Sequence, residues 1–293
     1  MPSLFVSHGS PMIALEPGAA GAFMQRLGPA IDAVFGRPKA IVTVSAHTAA
    51  RVPVVLAAPR HEAIYDFGGF DPKLLTLRYD APGDPALAAR MLKLLQQAGI
   101  DAQRVDQGGL DHGAWTALRF IYPDADIPIV PLAFVPDDSP AAQFRLGEAL
   151  RPLTEDGVLV VGSGSITHNL RRLFVNGLRP RTDQPELADN AAFRHWIAER
   201  VIDGTWRPEP VWGGIASGMV DIDAVDGAVG KDVRDGLQAH RAAIVAGTLA
   251  PFAAPLVDNA GTTRLARGTL ADADIKSMDW FVAGVVGSVP KSR

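Results

Sequence analysis

Three apolar runs in this chain end in the same way, and that repetition limits the folds open to it. Leu4-Phe5-Val6 runs into Ser7-His8-Gly9-Ser10-Pro11, Ala40-Ile41-Val42-Thr43-Val44 into Ser45-Ala46-His47, and Val158-Leu159-Val160-Val161 into Gly162-Ser163-Gly164-Ser165-Ile166-Thr167-His168. A β-rich apolar run closed by small, turn-forming residues reads as a buried strand whose carboxyl end opens into a tight loop. Such loops lie at the rim of an open sheet, where α/β folds bind their ligands. Three strands thus deliver His8, His47 and His168 to one edge.

Helical spacing fills the intervals. Phe23, Leu27, Ile31 and Val34 predict a helix over residues 21–35, stopped by Gly36. Leu87, Met91, Leu94 and Leu95 predict another over 85–98, with Pro85 near its first turn. Further helices are expected after Trp115 through Tyr122, over 141–153, and over 186–201 with Phe193, Trp196, Ile197 and Val201 turned inward. Residues 52–57 and 127–135 read as strands, the second near an edge or bulge because Pro128 and Pro131 interrupt it. Strands alternating with helices imply parallel pairing through crossover helices. The expected fold class is therefore α/β, one domain over 1–293 with a central, mostly parallel sheet flanked by helices and a site at the strand carboxyl ends. Beyond Gly204 the pattern loosens: no Glu follows Glu209, aromatic residues thin out, only 232–246 reads as a helix, and 275–286 as a strand or helix.

Composition narrows the chemistry. A net charge of −4 offers no basic field for nucleic acid or an anionic membrane. With no cysteine in the 293 residues, disulfides, thiolate nucleophiles and Cys-ligated metal sites are excluded. No apolar run reaches the roughly 20 residues of a membrane helix, and the start lacks a basic segment before a long apolar run. A cytoplasmic protein acting on a small molecule is expected, as a monomer or a homo-oligomer.

Seven histidines are present: His8, His47, His61, His112, His168, His195 and His240. Imidazole is the commonest side-chain metal ligand and titrates near neutrality. His112, in Asp111-His112-Gly113, has a neighbouring carboxylate and a flexible backbone suited to an oriented acid or base; alternatively, Asp111 caps a helix and His112 faces solvent. His61 and His195 are expected at the surface, and His240 is a further ligand candidate. Gly162-Ser163-Gly164-Ser165 lacks the lysine of a phosphate loop, and no G-x-S-x-G elbow supports a serine hydrolase.

Six stretches, in order, resemble the LigB-type (class III) extradiol ring-cleavage dioxygenases, in the branch related to DOPA dioxygenase. They are Ser7-His8-Gly9-Ser10-Pro11, Ser45-Ala46-His47, Tyr65-Asp66-Phe67-Gly68-Gly69-Phe70, Tyr79-Asp80-Ala81-Pro82-Gly83, Gly109-Leu110-Asp111-His112-Gly113-Ala114-Trp115 and Gly164-Ser165-Ile166-Thr167-His168-Asn169-Leu170. The resemblance implies a Zn2+ or Fe2+ centre and opening of a catechol-type aromatic diol by O2. It implies His8 and His47 as metal ligands and His168 as ligand or acid–base residue. It also implies His112 as a proton-transferring pocket residue, and Asp66, Phe67, His112 and Trp115 as substrate contacts.

The resemblance fades over 204–293. Family members carry a further ligand near the C-terminus, in a proline-rich Glu-His segment or as a Glu; here Leu249-Ala250-Pro251-Phe252-Ala253-Ala254-Pro255-Leu256 is an echo without histidine. His240 or a nearby Asp would have to substitute. Two other readings stay open: an inactive scaffold that has lost its last ligand, and a zinc-dependent hydrolase built on the same histidines.

Overall fold

The computed structural model describes residues 1–167, 186–208, 213–217, 220–222 and 229–289. Two compact units divide the chain, Met1–Pro210 and Val211–Arg293. Their boundary falls close to Gly204, where the sequence changes character.

In the first unit, strand β1 (Ser3–Ser7) is followed by helix α1 (Gly18–Phe35), then β2 (Ala40–Ser45), β3 (Val54–Leu56), β4 (Arg60–His61) and β5 (Ala81–Pro82). Next come α2 (Pro85–Gln97), β6 (Gln103–Val105), α3 (His112–Ile121), β7 (Ile129–Ala133), α4 (Pro140–Glu155), β8 (Val158–Gly164) and α5 (Ala188–Ile202). Six strands form one sheet in the order β1-β8-β2-β7-β3-β6. Every pairing is parallel except β3 with β7.

The helices begin where capping chemistry allows. Asp84 accepts from Leu87 N at the start of α2, and Ser139 from Ala142 N at the start of α4, each followed by proline at the first helical position. Strand β2 explains why the sequence reads as continuous apolar text: Ile41 and Val42 point to opposite faces and both are fully buried. On one face, Ile41, Ile129, Leu159 and Val161 meet Met24 and Ile31 of α1 and Trp115, Leu118 and Ile121 of α3. On the other, Val42, Val130, Leu132 and Val158 meet Leu87, Met91 and Leu95 of α2 and Leu146, Leu150 and Leu153 of α4. The expected α/β sheet flanked by helices is therefore present.

Several local expectations change. Strand β7 is not at an edge; it lies between β2 and β3 and is wholly buried. Pro131 is tolerated there because residues 129–131 pair with β2 while Leu132 and Ala133 pair with β3, so the missing N–H falls where the ladder changes partner. His61 is fully buried, not exposed. No residue of α5 is buried: Phe193 is 44% and Val201 60% exposed, so the expected inward face does not form. The expected element over 275–286 does not form as read: a short helix, Asp272–Lys276, ends two residues into that span.

The second unit contains the helix Lys231–Val245 and an antiparallel pair, Leu256–Val257 with Thr263–Leu265. Among its described residues only Asp258 is buried. That carboxylate accepts from the backbone of Ala260 and Thr262 and from Arg264, a set of bonds that holds it below the ordinary carboxylate range. Among the described residues no helix is long and apolar enough to cross a membrane.

Candidate metal centre

The register of the sheet brings two of the recurrent histidines together. Val6 and Ser45 both lie opposite Ser163 of β8, so β1 and β2 end at the same height on either side of one strand. His8 and His47 each follow two residues later. Neighbouring strands are about 4.8 Å apart, so two such side chains reach across β8 to meet. Their Nε2 atoms are 3.2 Å apart. His8 is buried and His47 exposed, so the pair spans the boundary between interior and solvent.

A third imidazole enters from α3. Asp111 caps this helix by accepting from Ala114 N at 3.1 Å. The same carboxylate accepts from Ser45 Oγ at 2.6 Å and from Thr48 Oγ1, tying the helix start to the end of β2. Both readings of this motif are thereby partly answered: Asp111 does cap, yet His112 is buried rather than solvent-facing. Its ring centroid lies 4.0 Å from that of His47 and 5.3 Å from that of His8. One nitrogen from each of His8, His47 and His112 lies within 4.8 Å of the others, a group able to hold a metal ion.

Second contacts orient the rings. Asp66 Oδ1 accepts from the His112 backbone N–H at 3.0 Å and sits 2.9 Å from its Nδ1. Burial works against the Asp66 charge, but these donations outweigh it and hold the carboxyl below its ordinary range. A carboxylate only accepts, so Nδ1 of His112 carries the proton and Nε2 keeps its lone pair. Ring orientation by such partners is the usual support of metal-binding or acid–base histidines.

The remaining expected site residues fall in different places. Phe67 packs edge-on against His112, with centroids 5.6 Å apart, and Phe70 continues the aromatic wall. Trp115, expected among the substrate contacts, has no exposed surface and donates its indole N–H to Ile64 O at 3.1 Å; it backs the wall as core. His168 lies outside the described residues. His240 lies in the second unit, exposed on the helix Lys231–Val245, with its Nδ1 2.7 Å from Gly236 O. Sequence reasoning missed Ser45, Thr48 and Ser163 as supports, although a serine at the ends of β2 and β8 was the available signal for two of them.

Comparison with known proteins agrees with this geometry. A family model described as the catalytic LigB subunit of aromatic ring-opening dioxygenase matches residues 2–237. The chain belongs to the LigB family. Among curated relatives, the 4,5-DOPA dioxygenase extradiol of Escherichia coli K12 is 41% identical over 177 residues, covering 60% of this chain and 64% of the relative. The protein of the same description from Beta vulgaris is 36% identical over 212 residues, covering 70% and 74%. In the first match, then, the chain spans less than two thirds of the relative's length. The crystal structure of the uncharacterized protein JW3007 from Escherichia coli K12 superposes with a TM-score of 0.55 at 35% identity, over 71% of this LigB-family chain and 74% of that one.

Proposed function

We propose that this LigB-family chain is a metal-dependent extradiol dioxygenase that opens a catechol-type ring beside its hydroxyls, adding both atoms of O2 to the product. The observation that carries the proposal is the 3.2 Å approach of the His8 and His47 Nε2 atoms, beside a His112 ring held by a carboxylate. The donor set fits a divalent cation: imidazole nitrogens suit Zn2+ and Fe2+ alike. His8 and His47 would hold the ion. When bound, it supplies the positive charge that favours a deprotonated diol.

The chain's own residues do the rest. His112 Nε2 accepts a phenolic proton, and Asp66 stabilises the resulting imidazolium through Nδ1–H, the logic of an oriented acid–base histidine. Phe67 and Phe70 supply the apolar wall against which an aromatic ring lies. His168 is proposed, on its sequence stretch alone, as a further acid–base residue. The relatives named above point to an aromatic diol of the DOPA type as the first substrate to try.

The test is oxygen consumption by protein reconstituted anaerobically with Fe2+ and then given DOPA or a simpler catechol. One O2 consumed per ring opened supports the reading. Protein that carries the metal at His8 and His47 yet consumes no O2 with any catechol overturns it.

A further inference from the structure

Ser163 occupies a position that nothing in the proposed reaction uses, yet its two hydrogen bonds determine what His8 can present to the site. Its Oγ is 2.6 Å from Gly113 O and 2.9 Å from His8 Nδ1. A backbone carbonyl has lone pairs and no proton, so the serine hydroxyl must donate to Gly113. Oγ is left as the acceptor for His8, which places a proton on Nδ1 and the lone pair on Nε2. That Nε2 is the atom 3.2 Å from His47 Nε2. Ser163 is only 4% exposed, so water does not compete for either bond.

We propose that Ser163 is a positioning residue that locks His8 into its Nδ1–H tautomer, so that Nε2 faces the centre as a ligand. The inference deepens the metal-centre reading given above and rests on it for its consequence. The same hydroxyl joins the end of β8 to the first turn of α3 one residue beyond His112, so it ties the β1 histidine to the helix that carries the third ring. Among the described residues the hydroxyl of Ser165 meets only that of Ser7, 3.4 Å away and exposed. Tautomer control by an outer hydrogen bond affects ligand strength, and loss of such a partner costs about 10–100-fold in metal affinity.

Two measurements test it. In metal-free, 15N-histidine-labelled protein held above the histidine titration range, long-range 1H–15N correlation reports the tautomer of each ring, with His8 assigned by its disappearance in His8→Asn. Wild type is expected to show His8 as Nδ1–H, and Ser163→Ala to move it towards Nε2–H. Zn2+ affinity, read by competition with a chromophoric chelator, is expected to weaken about 10–100-fold in Ser163→Ala and to recover in Ser163→Thr, which keeps the hydroxyl. If the alanine variant does not fold, Ser163→Cys, of similar size and feeble hydrogen bonding, is expected to show both losses. Wild-type His8 found as Nε2–H, or a Ser163→Ala protein with tautomer and affinity unchanged, overturns the proposal. Because the tautomer is read without metal, a wild-type protein with His8 as Nδ1–H that takes up no metal supports the role of Ser163 and overturns the metal-centre reading instead.

Discussion

Gly113→Ala sets two effects of opposite sign against each other. Gly113 is the second residue of α3, where exchanging glycine for alanine ordinarily stabilises a helix by about 0.5–1 kcal/mol. A Cβ built here, however, would lie 2.5 Å from Ser45 Oγ, 2.9 Å from His8 Cε1 and 3.1 Å from Asp111 Oδ1. The first distance is about 0.9 Å inside the 3.4 Å at which ordinary contact begins. None of these neighbours can give way cheaply: Ser45 is bound to Asp111, and Asp111 caps the helix. Overpacking costs about 1–3 kcal/mol, and a contact this far inside ordinary distance belongs to the upper part of that range; about 2–3 kcal/mol set against a gain of up to about 1 leaves a net loss of about 1–2 kcal/mol. Thermal unfolding of metal-free protein should then show a melting temperature lower by about 2–8 °C. Gly147 in α4 has nothing within 4 Å of its would-be Cβ, so Gly147→Ala should raise the melting temperature and serves as the internal control. A Gly113→Ala protein as stable as wild type would refute the close approach of α3 to the ends of β1 and β2, and with it the packing that gathers the three rings.

Two further outcomes follow from named contacts. Asp66→Asn keeps an acceptor oxygen beside His112 but removes its charge, so O2 uptake with a catechol should slow by about 100-fold or more while metal content holds; an unchanged rate would remove Asp66 from the acid–base pair. His61 is fully buried, and neither ring nitrogen has a hydrogen-bond partner among the described residues. Burial holds its pKa below the ordinary 6.5. The unfolded chain therefore binds this proton more readily, so the proton-linked cost is absent above pH 6.5 and stability falls as pH drops below it. Urea midpoints of metal-free wild type and His61→Leu, compared from about pH 8 to about pH 5, should show the flatter profile for the variant; parallel profiles would refute this assignment.

Much of the site was legible because its signal was local. The apolar runs ending at His8 and His47 report strand and loop within a few residues, and Asp111 before His112 reports a helix start. Elements whose meaning depends on distant partners were not legible. Strand β7 contains prolines that in isolation argue for an edge, but the change of ladder partner at Pro131 is a property of three strands together. His61 follows a charged arginine and looks exposed, yet β5 pairs with β4 and closes over it. The apolar residues of α5 have helical spacing, but spacing records a capacity to be buried and not the presence of a surface to bury against.

The sequence by itself determined the class of fold, the strand ends that carry chemistry and the absence of cysteine ligands, because hydrophobic periodicity and residue identity act over short stretches of chain. Tertiary structure alone decided that β8 lies between β1 and β2, which puts His8 and His47 within 3.2 Å of one another. It alone decided that Trp115 belongs to the core and that a serine on β8 faces the Nδ1 of His8. Strand order and register bring together residues more than 150 positions apart in the chain, and nothing within either stretch specifies the other.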